Sequence, residues 1–172
     1  LGNGDNIAFG GDGNDVIRGG DRDFDTSQGM HASLDIIFGG EGDDVIYTWG
    51  GDNLVDAGAG NDRIDAHTGS GVTLGGVTRM NGGTGDDDLI GRNGSVDEFV
   101  FTHGGDFGDD DVVQFESGVD RIVIDTFQDD PVNYQVQQLA PTVFRVTLDG
   151  DAGSITIQAD EAQFSDTWID FI

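Results

Sequence analysis

Residues 10–18 read GGDGNDVIR and define a nine-residue repeat: two glycines, any residue, glycine, any residue, Asp, any residue, an apolar residue and a last residue of any type. Residues 39–47 (GGEGDDVIY) and 82–90 (GGTGDDDLI) repeat this pattern in full, and residues 57–65 (AGAGNDRID) lose only the first glycine. Several copies in one register predict a stacked repeat protein, in which each short unit packs on its neighbours.

Weaker or interrupted copies complete an array of nine repeats over residues 1–101. The four copies described above are repeats 2, 4, 6 and 8, so the odd-numbered repeats are the less regular ones. These are residues 1–9 and 48–56, with Asn6 and Asn53 at the sixth position, residues 91–101, with Asp97 there, and two copies with insertions at about 21–34 and 67–80.

The nonapeptide resembles the RTX (hemolysin-type) calcium-binding repeat. The resemblance covers about residues 1–101 and implies an all-β fold, a parallel β-roll (a right-handed β-helix) in which each repeat supplies a loop and a short strand. Two repeats would make one turn, so that repeats i and i+2 stack on the same side. Glycine becomes rare after residue 118, and we predict that residues 102–172 form a β-rich C-terminal cap.

The composition excludes several classes of protein. The chain carries 34 acidic against 7 basic residues, a net charge of −27, so no nucleic-acid partner is expected, because such partners need Lys and Arg against phosphate. There is no cysteine for disulfides or zinc-thiolate sites, and no apolar run approaches about 18 residues, so we expect no transmembrane segment. Asp outnumbers Glu by 30 to 4, which is typical of tight loops and hard-cation sites.

The sixth-position residues of the even-numbered repeats are all carboxylates, and we call them the even column: Asp15, Asp44, Asp62 and Asp87. Stacked loops would lie about 4.8 Å apart. Two unit charges at about 4 Å repel by roughly 4 kcal/mol at an effective dielectric constant of about 20, so the loops need a cation between them. Calcium fits, because it takes carboxylate and carbonyl oxygens. Three sites are predicted, between successive members of the column.

The sixth-position residues of the odd-numbered repeats form a second, less regular set, the odd column: Asn6, Asp35, Asn53, no clear residue in repeat 7, and Asp97. We therefore predict a well-filled series of calcium sites on one side and a degraded series on the other, with about three to six ions in all. The RTX resemblance adds backbone carbonyl ligands from the first and third positions of the even-numbered loops, namely Gly10 and Asp12, Gly39 and Glu41, Ala57 and Ala59, and Gly82 and Thr84.

Other motifs give weaker signals. Residues 21–25 (DRDFD) resemble the start of an EF-hand loop, but Thr26 and Ala32 stand where that loop needs Gly and Glu, so we prefer a solvated acidic loop over a further calcium site. No nucleophile–base motif is legible, and we predict no catalytic and no organic-cofactor-binding residue. None of the three histidines has metal-ligand spacing: His31, His67 and His103.

The last third of the chain has alternating strand patterns. The region after the repeats resembles that of serralysin-type metalloproteases, and residues 170–172 (DFI) are similar to their acidic-then-apolar tail, part of an uncleaved secretion signal. As a cap, this segment would cover the open edge of the roll. We predict strands at 112–115 and 121–124, a hairpin formed by 143–148 and 155–157, and one helical turn within 160–164.

Outward-facing apolar residues would lie together on the odd sheet, and we expect them to be covered by the C-terminal segment, an upstream domain or a partner. A ligand-binding face that includes Trp49 is the alternative interpretation. The residues are Ile7, Phe9, Ile36, Phe38 and Leu54.

These observations predict a calcium-binding RTX module from the C-terminal part of a larger secreted, extracellular bacterial protein. The resemblance implies that it folds on calcium after export by a type I secretion apparatus and carries the secretion signal. It implies no enzyme in this segment, and the activity of a parent protease, lipase or epimerase would lie in an upstream domain. The alternatives are an enzyme in its own right and a calcium-dependent polysaccharide-binding module like the repeat modules of mannuronan epimerases, for which Arg18, Arg63, Tyr47 and Trp49 form a thin candidate strip.

Overall fold

The computed structural model describes residues 1, 4–19, 34–49, 51–66, 76–126 and 132–172. In these residues, no helix is long and apolar enough to cross a bilayer. A 3₁₀-helical turn at Asp166–Trp168 precedes the last strand. The strands are β1 (Asn6–Asp12), β2 (Val16–Arg18), β3 (Leu34–Glu41), β4 (Val45–Tyr47), β5 (Asp52–Ala59), β6 (Arg63–Asp65), β7 (Val77–Thr84), β8 (Asp88–Ile90), β9 (Val96–Thr102), β10 (Asp109–Phe115), β11 (Arg121–Asp125), β12 (Tyr134–Ala140), β13 (Val143–Leu148), β14 (Ser154–Ala159) and β15 (Ile169–Phe171).

The strands form two sheets. Sheet A has the order β1-β3-β5-β7-β9-β11-β15, and sheet B has the order β12-β13-β14-β10-β8-β6-β4-β2. From β1 to β11 every pairing is parallel and joins strands two apart in the chain. The chain therefore passes from one sheet to the other and back once per two repeats, which confirms the all-β parallel β-roll and the stacking of repeats i and i+2.

The core lies between the two sheets. Eighth-position side chains point inward from both, and those of repeats 3, 4, 5, 6, 8 and 9 have no exposed area. Burial alternates along β3, β5 and β7 of sheet A, as the two-residue period of a strand requires. Ile17, on edge strand β2, is only partly buried. The fully buried set is Ile37, Ile46, Val55, Ile64, Leu89 and Phe99.

Glycine at the second and fourth repeat positions allows the loops to stack closely. Gly58 and Gly83 have φ of +113° and +106°, a region that side chains other than glycine rarely adopt. A Cβ atom at Gly83 would lie 1.9 Å from the carbonyl oxygen of Gly58 in the previous turn. Because backbone occupies that space, the glycine period is a packing requirement of the roll.

Parallel stacking continues beyond residue 101. Strand β10 pairs with β8 in sheet B, and β11 pairs with β9 in sheet A. The strands predicted at 112–115 and 121–124 are both present, and they belong to opposite sheets. The predicted domain division at residues 101 and 102 stays a prediction, but the parallel stacking of strands extends to Asp125, the end of β11.

The remaining C-terminal strands extend both sheets. The predicted hairpin is confirmed as the antiparallel pair β13–β14, and β14 continues sheet B beside β10. Strand β12, which the sequence analysis did not predict, is a polar, largely exposed edge strand. The helical turn expected within 160–164 is wrong in position: it forms at Asp166–Trp168, where the Ser165 hydroxyl accepts the Thr167 N–H and caps it. There Trp168 packs against three aromatic rings, those of Phe115, Phe144 and Phe164.

The outward apolar set on sheet A lies at the end of the roll opposite to these strands. Ile7 and Phe9 are 63% and 74% exposed, and Phe9 stacks on Phe38 with ring centroids 5.1 Å apart. The C-terminal segment extends sheet A at its other edge, through β15. Cover by the C-terminal segment is therefore wrong, because β1 and β15 are the two opposite edges of the sheet.

Candidate calcium sites

The even column runs along one edge of the roll, where the chain passes from sheet A to sheet B. In each loop the backbone N–H of the sixth-position Asp donates to Oδ1 of the corresponding Asp in the next turn. These hydrogen bonds link Asp15 to Asp44, Asp44 to Asp62 and Asp62 to Asp87, each at 2.7 Å. The loops are thus held in register, and the four predicted carboxylates stack as one continuous series.

The second carboxylate oxygen of each of these residues is buried and has no hydrogen-bond partner, as seen at Oδ2 of Asp15, Asp44, Asp62 and Asp87. A buried unpaired polar atom costs free energy, and a buried carboxylate oxygen costs more than a neutral one. Four such oxygens in one row therefore indicate that a cation belongs there.

First-position carbonyl oxygens face the same space. A Cβ atom at Gly10 would lie 2.4 Å from the Gly39 carbonyl oxygen and 2.7 Å from Oδ2 of Asp15. At Gly39 the corresponding distances are 2.3 Å to the Ala57 carbonyl oxygen and 2.4 Å to Oδ2 of Asp44. A Cβ atom at Gly82 would lie 2.1 Å from Oδ2 of Asp87. Carbonyl and carboxylate oxygens thus converge beside the first-position residue.

Third-position carbonyls have a different environment. The carbonyl oxygens of Glu41, Ala59 and Thr84 each accept the fourth-position N–H of the previous turn, at 2.7 to 2.9 Å. Asp12 is aligned with this series, opposite Glu41. Each of these third-position oxygens keeps a second lone pair. The first-position carbonyl oxygens, however, face the same space as the unpaired carboxylate oxygens and are the better supported ligands.

This donor set suits calcium. Within the described residues, no group of three or more acidic or histidine side chains could hold a metal ion by itself, so a site here must combine one or two carboxylates with backbone carbonyls. Calcium accepts such mixed oxygen sets, with six to eight ligands in flexible geometry. The residues that would hold it are the even-column Asp residues and the first-position carbonyls, and the bound ion would supply the positive charge that offsets their repulsion.

Burial also changes the acidity of these carboxylates. Without a cation, desolvation raises the pKa of Asp62 to about 6, of Asp87 to about 7 and of Asp110, which follows them in the same row, to about 8. Repulsion between neighbouring Asp residues adds to this, and the donated backbone N–H groups oppose it. These carboxyl groups therefore stay protonated in the metal-free fold at pH values where the same groups are ionised in the unfolded chain.

This difference predicts opposite pH responses with and without calcium. Because these pKa values are raised in the fold, the metal-free fold should gain stability as pH falls from about 8 toward 5. With excess calcium, protons compete with the ion for the same oxygens, so stability should fall over that range. Circular dichroism at each pH measures both, as the amount of β-structure regained in chelator and as the melting temperature in calcium. The same trend in both buffers would contradict a cation-linked column.

The odd column lies along the opposite edge and is more heterogeneous. Asn6 and Asp35 stand opposite each other, as do Asn53 and Thr78, which fills the position that had no clear residue in repeat 7. Asp35 and Asp97 are fully buried, and each has one oxygen without a partner. Residues 21–33 and 67–75 of the two insertions, with His31 and His67, lie outside the described residues.

Sequence reasoning missed two members of these columns. Asp110 accepts the Asp87 N–H at 2.8 Å and continues the even column. Asp120 accepts the Asp97 N–H at 2.9 Å and continues the odd column. Both keep the fourth-, sixth- and eighth-position pattern, as Gly108-x-Asp110-x-Val112 and Gly118-x-Asp120-x-Ile122. Searching for that shortened pattern would have found them.

Other predicted groups are engaged with their own neighbours. Arg18 lies over the Tyr47 ring at 5.2 Å, and Arg63 forms ion pairs with Asp65 and Asp88. His103 contacts a carboxylate in the β13–β14 turn, with 2.9 Å between its Nδ1 and Oδ2 of Asp151. These contacts give Arg18, Arg63 and His103 a structural role within the fold.

Comparison with known families agrees with this geometry. The family described as RTX calcium-binding nonapeptide repeat matches residues 2–21 and 34–64, in four copies. No curated protein matches the chain. The matched residues contain Asp15, Asp44 and Asp62 of the even column, with the glycines that let their loops stack. Residues 2–21 and 34–64 therefore carry RTX calcium-binding nonapeptide repeats, in four copies.

Proposed function

We propose that the chain is the calcium-dependent C-terminal module of a larger secreted bacterial protein, which leaves the cell through a type I system and folds outside it. The observation that carries this proposal is the row of buried even-column carboxylates whose Oδ2 atoms have no partner. Such a row is unfavourable without a cation and favourable with one. Calcium has a structural role here, and any catalytic activity would belong to another part of the parent protein.

The calcium dependence supports a role linked to export. Each site with a dissociation constant of about 10⁻⁴ M contributes about 1.5–1.8 kcal/mol when calcium is ten to twenty times more concentrated. Cytosolic calcium is far too low for this, whereas extracellular calcium is sufficient. An unfolded chain inside the cell and a folded chain outside would follow from the same sequence.

The C-terminal residues are part of the proposed signal. In the fold, Ile169–Phe171 pair with β11 as the outermost strand of sheet A, and Phe171 and Ile172 stay 43% and 58% exposed. The backbone N–H of Ile172 donates to Ile124, and that of Thr126 donates to Ile172. The same short segment would act as a signal in the unfolded chain and as an edge strand after folding.

An export assay with metal analysis tests the proposal. The chain is expressed with a type I exporter, intact and without residues 170–172, and the medium is collected. We expect only the intact chain outside the cell, and native mass spectrometry should then show at least three calcium ions bound to it. A shortened chain that is exported equally well contradicts the signal, and a secreted chain without calcium contradicts the module.

The polysaccharide-binding alternative has less support. In its candidate strip, Arg18 contacts the Tyr47 ring, and Arg63 forms ion pairs with two Asp side chains. Trp49 also has an interaction partner. The net charge of −27 would repel an acidic polysaccharide. No contact in the described residues favours this function over the calcium module.

A further inference from the structure

Asn6, the first member of the odd column, places an amide donor among oxygen atoms. Its Nδ2 donates to the carbonyl oxygen of Gly4, the fourth-position residue of the same loop, at 2.5 Å, and to Oδ1 of Asp35 at 2.9 Å. Its backbone N–H donates to the same Asp35 oxygen at 3.0 Å. A loop carbonyl and the carboxylate of the next turn are thus joined by a donor that belongs to the chain.

Asn53, two turns further along the same edge, repeats the contact with the fourth-position carbonyl but not the bond to the next turn, and its Oδ1 is buried without a hydrogen-bond partner. It is 3% exposed, and its Nδ2 donates to the carbonyl oxygen of Gly51 at 3.3 Å. Gly51 is again the fourth-position residue, two residues before the amide. At the even edge, by contrast, Oδ2 of Asp15, Asp44 and Asp62 has no donor of any kind. The two Asn residues therefore share a contact that the even column lacks.

We infer that Asn6 and Asn53 close their loops in place of a calcium ion. An amide N–H presents a partial positive charge to the oxygens, and it removes the negative charge that a sixth-position Asp would bring. A calcium ion next to the amide N–H group would be repelled by the partial positive charge on its hydrogen. These two loops are consequently built without metal, and the calcium requirement is concentrated on the even edge.

The far end of the odd edge shows the same tendency with other donors. Asp120 receives a backbone N–H at each oxygen, from Asp97 at 2.9 Å and from Glu116 at 2.7 Å. Beside Asp97 lies Arg92, whose side chain is buried at 4% exposure and whose positive charge acts on that carboxylate. Asp35 and Asp97 are the exceptions, since Oδ2 of Asp35 and Oδ1 of Asp97 are buried without a partner.

The inference rests on the proposed calcium binding and specifies which loops do not take part in it. Its test exchanges the amide for a carboxylate of the same shape, in Asn6→Asp, Asn53→Asp and the double variant. Asn61→Asp is the matched control, because Asn61 lies at the exposed fifth position of an even loop, where its Oδ1 accepts the Asp86 N–H at 3.1 Å. Native mass spectrometry counts the bound calcium, and circular dichroism gives the calcium concentration at half-folding.

We expect each odd-column variant to bind one ion more than the wild-type chain and to need a several-fold higher calcium concentration for half-folding, because a repelling carboxylate replaces a donor. The control should change neither quantity. A wild-type chain that binds calcium while Asn6→Asp and Asn53→Asp keep its ion count contradicts this inference alone. A wild-type chain that binds no calcium contradicts the proposed function, and this inference with it.

Discussion

Removal of calcium at neutral pH should unfold the β-roll. The even column brings Asp15, Asp44, Asp62 and Asp87 into consecutive turns with an unpaired buried oxygen on each, and a bound cation offsets that cost while the carboxylates stay ionised. Three sites at about 1.5–1.8 kcal/mol each supply about 5 kcal/mol. That is comparable with the whole net stability of a typical domain, about 5–15 kcal/mol.

Circular dichroism of chelator-treated protein measures this effect directly, during a titration with calcium chloride. We expect a disordered spectrum in chelator, a cooperative rise of β-structure with calcium, and a blue shift of tryptophan emission as Trp168 becomes buried at 2% exposure. Magnesium at equal ionic strength is the control and should restore little structure, because it demands stricter octahedral geometry. Full β-structure in chelator at neutral pH would refute a calcium-dependent fold.

Asp44→Asn should strongly destabilise the calcium-bound roll. Asp44 is 1% exposed and lies between Asp15 and Asp62, so it belongs to two of the predicted sites. Asn keeps the acceptor for the Asp15 N–H but removes the charge. In saturating calcium we expect a loss of about 3 kcal/mol of unfolding free energy, from two weakened sites, and a lower calcium count.

The sign of the Asp44→Asn effect should reverse without calcium. The metal-free fold would then contain one buried charge fewer, so the variant should be the more stable chain in chelator. Asp43→Asn is the matched control: Asp43 is the exposed neighbour, and its Oδ1 also accepts a backbone N–H, from Asn61 at 2.9 Å. Urea unfolding of the three chains in calcium measures the loss, and the β-structure that each chain regains in chelator with a stabilising osmolyte such as trimethylamine N-oxide, followed by circular dichroism, measures the reversal. Equal losses for Asp43→Asn and Asp44→Asn would show that the column charge is unimportant.

The sequence alone determined the roll, because each repeat interacts with the next turn in the same register. Glycine at fixed positions marks the close approach of backbones, as at Gly83 against Gly58, and the eighth-position residue marks the core. The carboxylates of the even column follow from the same period. Local spacing therefore predicted the fold, which the structure confirms, whereas the role of the even-column residues as calcium ligands stays a prediction.

Which polar atoms are already paired becomes visible only in the three-dimensional fold. That Asp120 is satisfied by backbone donors, while Oδ2 of Asp44 is not, depends on contacts across turns. The contacts of Asn6 to Asp35 and of Asp87 to Asp110 join residues 29 and 23 positions apart, across irregular segments that break the nine-residue period. Hydrogen-bond direction and burial are set by the neighbouring turn, so composition and spacing along the chain do not reveal them.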